Sequence, residues 1–281
     1  MEFGCAAGPG LVLSCVWIEC LLSCLSYILM FIASDKVASV FYKNYMHFNS
    51  IDRSQFKSNI GSLINSIVSF IAIVHMVYAD HITLASQDPV HFYPHLLSYY
   101  GPMTLGFYIF DFLVRLAYQI ELSNRVEVVV TSSGKTAPNA SLSPLITPFC
   151  HCFIIAYSLQ TKLFGIYGVF TAVMSVQQIF YSATVLLRFR LQSASEKNLF
   201  FRVTNVLQYI TFPILRWISG PYSAYLIYAN LEEFLAFMSW PALAIYAYVI
   251  AHENLFTILF GLRAILFIVK PDFLQRPSNM D

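Results

Sequence analysis

Long apolar runs that recur along almost the whole sequence are the feature that most constrains how this chain can fold. Hydrophobic residues make up 58% of the 281 residues, and only 11% are charged, whereas a typical soluble domain is about 25% charged. An apolar run of about 18 residues or more is long enough to cross a bilayer as a helix. The sequence therefore predicts an all-α, polytopic membrane protein. The net charge of +1 gives no electrostatic reason to expect binding to nucleic acid.

The apolar runs predict about seven transmembrane helices. Their approximate bounds are Leu11–Ala33, Ser58–Ala79, Leu96–Gln119, Pro144–Gln160, Phe164–Leu187, Leu199–Ala229 and Phe234–Ala251. The first run is not preceded by a basic segment, so we expect it to be an anchor and not a cleaved signal peptide. A further run, Leu255–Val269, is interrupted by Arg263 and is short for another crossing. It is interpreted as an extension of the last helix or as an interfacial segment.

The distribution of Lys and Arg predicts the orientation of these spans. Seven crossings place thirteen basic residues on one side and only Lys162 on the other, with Arg115 and Arg216 inside spans. Cytoplasmic segments carry the excess of positive residues. The N-terminus is therefore predicted to be lumenal or exterior, and the C-terminus cytoplasmic. Asn139, although it lies in a glycosylation pattern, is then predicted to be cytoplasmic and unmodified.

The third run carries two charged residues, Asp111 and Arg115, four positions apart. Charges inside a bilayer are expensive and usually face a protein interior, so such residues indicate a functional site. Opposite charges at this spacing also meet on one face of a helix. Two interpretations stay open: the residues neutralise each other, or they belong to a polar pocket.

Other spans also place a hydrogen-bonding side chain in the half of the membrane nearer the predicted cytoplasmic side. At 1.5 Å per residue, Asn65, His151 and Asp111 lie about 10–12 Å deep, Gln177 about 13–15 Å and Arg216 about 20 Å. The agreement in depth predicts one cavity walled by the second to sixth spans. The alternative is a set of separate hydrogen bonds between helices, each contributing about 0.6 kcal/mol.

Several short motifs follow one another in a recognisable order. They are Ser58, Ser62, Asn65 and Ser66 in the second span, Gly106 to Asp111 in the third, Cys150-His151-Cys152 in the fourth, Phe212 to Arg216 in the sixth, and Asn254 with Phe256 near the end. In this order and spacing the sequence resembles the TLC-domain family, which includes the ceramide synthases and the protein of a neuronal ceroid lipofuscinosis.

Three positions depart from the family pattern. Asn65 replaces a histidine of the second span, Cys150 replaces the first of two paired histidines, and the stretch from Val173 to Gln177 lacks the family's Glu and Pro. The resemblance implies an N-terminal peripheral helix with its connection (residues 1–39), a six-helix TLC-like bundle that encloses a cavity (40–270) and a short cytoplasmic tail (271–281). It also implies an endomembrane location such as the endoplasmic reticulum, and a connection to sphingolipids.

Three functions are compared. The leading hypothesis is a non-enzymatic protein of lipid homeostasis that binds a lipid in the cavity. The first alternative is a ceramide-synthase-like N-acyltransferase that uses acyl-CoA as co-substrate, with His151 as general base and Asp111 as its orienting partner. The second is a transporter or cargo receptor, which the sequence supports little. The sequence identifies no protein partner.

The residues predicted to bind the ligand come from four of the spans and from the segment after the last one. They are Asn65, Asp111, Ser175, Gln177, Gln178, Arg216 and Asn254. No resident cofactor or metal is predicted, because neither the cysteines nor the histidines and aspartates of residues 80–95 have the ligand spacing of a metal site.

Overall fold

The computed structural model describes residues 9–41, 45, 50–79, 88–126, 143–191 and 199–269. Within these residues every secondary-structure element is a helix. The helices are α1 (Pro9–Phe41), α2 (Ser50–Ala79), α3 (Leu97–Val126), α4 (Ser143–Thr161), α5 (Gly165–Val176), α6 (Gln178–Leu191), α7 (Leu199–Ala229), α8 (Leu231–Phe237) and α9 (Trp240–Val269). The all-helical class predicted from the sequence is confirmed for this part of the chain. Asn139 and the tail after residue 269 lie outside it.

Three of the described stretches are long and apolar enough to cross a membrane by length and composition: Val16–Val40, Phe56–Ala79 and Gly165–Leu187. Two shorter apolar stretches are Leu145–Thr161 and Trp240–His252. The remaining long helices, α3 and α7, carry more polar residues. The long apolar helices are compatible with an integral membrane protein.

Most helices extend beyond the apolar runs that predicted them. α1 continues past Ala33 to Phe41, α2 begins at Ser50, and α3 continues to Val126. The predicted polar connection between residues 35 and 57 is therefore largely helical. A helix of 33 residues is about 50 Å long, whereas the hydrocarbon core is about 30 Å thick. Hydropathy marks only the apolar part of such a helix, so the helices are longer than the apolar runs that predicted them.

α1 packs along α3 through one face. Cys20 and Cys24 are buried there, and the ring of Tyr27 lies 5.3 Å from Phe107 and 5.7 Å from Phe110. Leucines on the other face of α1, such as Leu21, Leu25 and Leu29, are exposed, as expected for a helix at the periphery of a bundle in lipid.

The α1–α3 crossing is closest at Gly106. A Cβ atom at this position would lie 2.7 Å from the side chain of Ser23 and 2.8 Å from the carbonyl oxygen of Cys20. The hydroxyl of Ser23 donates a hydrogen bond to the carbonyl of Met103 at 3.0 Å. Small residues at a helix crossing allow this approach, which is the usual device for association in membranes.

One end of the bundle is filled with aromatic side chains, and we call it the aromatic end. Val90 from the segment before α3, Phe164 from the connection between α4 and α5, and Phe234 from the short helix α8 are fully buried and meet there. The N–H of Phe164 donates to the carbonyl of Val90 at 2.8 Å. Phe164 has a left-handed backbone (φ 59°), which is costly for a bulky residue and is held here by its buried surroundings.

At the opposite end, a small ionic cluster joins α1 to α2. Lys57 forms a salt bridge with Asp35 at 2.9 Å, and its ammonium group lies 4.2 Å from the centre of the Phe31 ring. The hydroxyl of Tyr45 donates a hydrogen bond to the same carboxylate. Lys57, which the sequence placed in a connection, therefore belongs to a helix–helix contact.

Two details complete the path of the chain. The fifth apolar run forms α5 and α6, which are separated only by Gln177, and the backbone of Gln177 is itself helical (φ −61°, ψ −24°).

α9 continues from Trp240 to Val269 without a break. The segment Leu255–Val269 is therefore an extension of the last helix, which was one of the two interpretations left open.

Candidate functional site

A cavity of about 420 Å³ lies between α2, α3, α4, α5, α6, α7 and α9 and is partly open to the outside. Pockets for small ligands usually measure about 300–1,000 Å³. Most of the residues that line the cavity are polar, although the surrounding helices are rich in apolar residues. The residues that line it are Ser62, Asn65, Ser66, Phe107, Tyr108, Asp111, Arg115, Thr147, Pro148, His151, Thr171, Met174, Ser175, Gln177, Gln178, Arg216 and His252.

The structure brings together most of the residues that the sequence singled out. Six of the seven predicted ligand-binding residues line this one cavity: Asn65, Asp111, Ser175, Gln177, Gln178 and Arg216. His151, the predicted general base, lines it as well. Helical geometry explains the convergence, because a helix can turn its polar positions inward and keep apolar residues on the outer face.

Asn254 is the predicted residue that does not line the cavity. Its amide donates a hydrogen bond to the carbonyl of Ile250 at 2.8 Å on its own helix. Its side chain also occupies the space beside Gly220, where an added Cβ would lie 3.0 Å from the Asn254 oxygen. In the structure, Asn254 therefore serves the contact between α9 and α7.

Two cavity residues, Asp111 and Arg115, form an ion pair on α3. The Nε atom of Arg115 donates to the Asp111 carboxylate at 2.8 Å. The Asp111 side chain is only 8% exposed, whereas that of Arg115 is 48% exposed. The two interpretations left open by the sequence therefore coexist: the charges neutralise each other, and both residues lie in a polar cavity.

Aromatic rings support two further polar side chains of the cavity. The ring of His151 stacks on Tyr108, with centroids 4.8 Å apart and planes 13° from parallel. The guanidinium carbon of Arg216 lies 4.8 Å from the centre of the Phe212 ring, one turn earlier on α7. Such cation–π contacts favour the positive charge and hold the side chain in place.

The two buried amides of the cavity retain hydrogen-bonding capacity. Asn65 and Gln177 are 3% and 2% exposed. Within the described residues, neither Asn65 Oδ1 nor Gln177 Oε1 has a hydrogen-bond partner. The Nε2 atom of Gln177 donates to Gln178 Oε1 at 3.2 Å. Buried polar atoms without partners are uncommon in proteins and mark a place where a ligand or water can bind.

Sequence reasoning missed several polar residues of the cavity, among them Tyr108, Thr147, Thr171 and His252. His252 was placed after the end of the seventh span. The apolar run resumes three residues later, and this signal could have placed His252 inside one long helix. In the structure its Nε2 lies 3.4 Å from the hydroxyl oxygen of Thr147 on α4.

A second polar cluster lies outside the cavity, near the aromatic end. His91 Nδ1 lies 3.1 Å from Asp88 Oδ2 and 3.3 Å from Glu233 Oε1. The contact with Glu233 connects the segment before α3 to α8. Partial burial raises the pKa of Asp88, but hydrogen bonds from the N–H groups of His91 and Val90 outweigh it and lower this pKa below its ordinary value. Sequence reasoning did not connect Glu233 to the histidines, because the contact is between distant segments.

Comparison of the chain with protein-family models, with curated proteins and with solved structures found no match. The site is therefore interpreted from its own chemistry.

Proposed function

We propose that this chain is a multi-pass membrane protein that binds a lipid within an intramembrane cavity and acts in membrane lipid homeostasis. One observation carries the proposal: polar side chains from seven different helices line a single cavity in a bundle whose outer faces are apolar. In the proposed topology the chain crosses the membrane seven times, with α1 at the edge of a TLC-like bundle of six spans. The N-terminus is lumenal and the C-terminus cytoplasmic, in the endoplasmic reticulum or another endomembrane.

The volume of the cavity bears on how a lipid would bind. About 420 Å³ accommodates a head group together with part of one chain, since whole drug-sized ligands fill about 300–1,000 Å³. In this arrangement the head group contacts the polar side chains that line the cavity. The chain leaves through the open side, toward apolar surfaces of the bundle.

The acyltransferase alternative requires His151 to be oriented by Asp111. One oxygen of the Asp111 carboxylate accepts a hydrogen bond from Arg115, and the ring of His151 stacks on Tyr108. Both residues line the same cavity. Acyl-CoA turnover that falls sharply in His151→Ala would favour the enzymatic alternative over a binding role.

Native mass spectrometry of the full-length protein in mild detergent tests the proposal. We expect the wild type to retain a lipid, and Ser62→Phe, which places a ring in the cavity, to lose most of it. Ile64→Phe is the matched control, because Ile64 is on the same helix but 39% exposed on the outer face. Equal lipid retention by the two variants, or a wild type that carries no lipid, contradicts the proposal.

A further inference from the structure

We infer that the ligand of this cavity is a neutral amphiphile whose head group donates hydrogen bonds through hydroxyl groups. This inference rests on the proposed function and names the chemical class of the ligand. It follows from the hydrogen-bond acceptors of the lining, from the lining hydroxyls that already donate elsewhere and from the pairing of the carboxylate.

Two amide oxygens of the lining are acceptors without a donor in the described part of the chain. Asn65 on α2 and Gln177 between α5 and α6 both line the cavity and are more than nine-tenths buried. Neither Asn65 Oδ1 nor Gln177 Oε1 has a hydrogen-bond partner there. Gln177 Nε2 already donates to Gln178 Oε1 at 3.2 Å, so the oxygen is the end of this amide that remains. A buried acceptor without a partner is costly, and a ligand that donates to it gains affinity.

Three hydroxyl groups of the same lining already donate their protons to backbone carbonyls one turn earlier. On α2, Ser66 donates to the carbonyl of Ser62 at 2.7 Å. On α5, Thr171 donates to the carbonyl of Tyr167 and Ser175 to that of Thr171, both at 2.9 Å. A hydroxyl has a single proton, so these groups have none left for the amide oxygens or for a ligand. This part of the lining therefore accepts hydrogen bonds and requires a ligand that donates them.

The pairing of the carboxylate favours a neutral donor over an ammonium group. Among the described residues that line the cavity, Asp111 is the one carboxylate, and Arg115 donates to it at 2.8 Å. An ammonium group that leaves water requires an anionic partner, and this carboxylate is already engaged. A hydroxyl carries no charge, and it accepts hydrogen bonds as well as donating one. It therefore also fits a lining that contains arginine side chains.

Lipid competition measured by native mass spectrometry tests the inference, with the wild-type protein in neutral detergent. One pair of probes is monooleoylglycerol against its dimethyl ether, and the other is oleyl alcohol against its methyl ether, so that the ethers lack only the donors. A neutral hydrogen bond contributes about three- to tenfold in affinity. We therefore expect the first pair, with two donors, to differ by about tenfold or more and the second by about threefold or more. Oleylamine, a charged donor, is expected to bind no better than oleyl alcohol.

Variants of the two amides assign the preference to the cavity. Gln177→Met and Asn65→Leu each replace an amide by an apolar side chain of similar size, and each should reduce the preference in the first pair to about threefold or less. Gln208→Met is the matched control, because Gln208 is also a buried amide but is not among the described residues that line the cavity. It is expected to leave the preference unchanged. Should one amide variant not fold, the other and the wild-type competition still decide the question.

The outcomes separate this inference from the proposed function. Equal binding of hydroxyl and ether probes, still blocked by Ser62→Phe, overturns the hydroxyl head group but leaves a lipid-binding cavity. A preference that survives both amide variants, or that falls as much in Gln208→Met, overturns it as well, because the amide oxygens would then not be its cause. Oleylamine that binds more tightly than oleyl alcohol overturns the neutral head group. Binding of all probes that is indifferent to Ser62→Phe removes both the inference and the proposed function.

Discussion

Replacement of Gly106 by alanine tests how α1 is held against the rest of the bundle. The new Cβ would lie 2.7 Å from the Cβ and Oγ of Ser23 and 2.8 Å from the carbonyl oxygen of Cys20. Carbon atoms in contact prefer about 3.5–4.0 Å, so the two helices must separate by about 1 Å. The Oγ of Ser23 can rotate away, but the Cβ of Ser23 and the carbonyl oxygen of Cys20 cannot.

The expected cost has two parts. Overpacking a tight contact costs about 1–3 kcal/mol. The separation also stretches the 3.0 Å hydrogen bond from Ser23 to the carbonyl of Met103, and such a bond contributes about 0.6 kcal/mol in a membrane. Gly106→Ala should therefore lower the free energy of unfolding by about 2–4 kcal/mol in total.

Gly61 provides a matched control in the same part of the bundle. A Cβ there would lie 3.1 Å from the ring of Phe110 and 3.4 Å from the terminal methyl of Met30. Both are ends of side chains that can move, so Gly61→Ala should cost less than about 1 kcal/mol. Equilibrium unfolding of both variants in mixed micelles measures the difference. A Gly106→Ala variant as stable as the wild type, or no more affected than Gly61→Ala, refutes the close crossing of α1 and α3.

Two further predictions concern charged groups. Arg115→Gln leaves the buried Asp111 carboxylate without its 2.8 Å donor and should lower the unfolding free energy by about 1–3 kcal/mol, less than for a fully buried pair because Arg115 is half exposed. The double variant with Asp111→Asn should recover most of this loss, and a double variant as unstable as Arg115→Gln would contradict the pairing. Hydrogen bonds lower the pKa of Asp88 in the folded protein. The ionised carboxylate therefore contributes to stability above the pKa of unfolded Asp88, about 4, and this contribution is lost as the pH falls through the lower folded pKa. In thermal unfolding, the difference between wild type and Asp88→Ala should therefore shrink below about pH 4, and a difference that stays constant to pH 3 would contradict it.

The sequence predicted the convergence of polar residues because depth in a membrane can be counted along a helix. Asn65, His151 and Gln177 were at similar depths and do line one cavity. Depth alone does not predict which neighbour a side chain meets. Asn254, which bonds its own helix, shows this limit.

Helix ends were harder to predict, and this affected the assignment of site residues. Hydropathy ended the seventh span at Ala251, so His252 was taken to follow the membrane segment, whereas α9 continues to Val269. The contacts among Asp88, His91 and Glu233 could also not be predicted from the sequence pattern. Glu233 meets His91 only because the connections of the aromatic end fold together.

The aromatic end bears on how a ligand reaches the cavity. Side chains of Val90, Phe164, Phe234 and their neighbours pack together there, whereas the cavity is lined by other residues and is partly open. Under the proposed function, a lipid that enters and leaves through this open side would exchange with the surrounding membrane, and the bound fraction would follow the amount of that lipid.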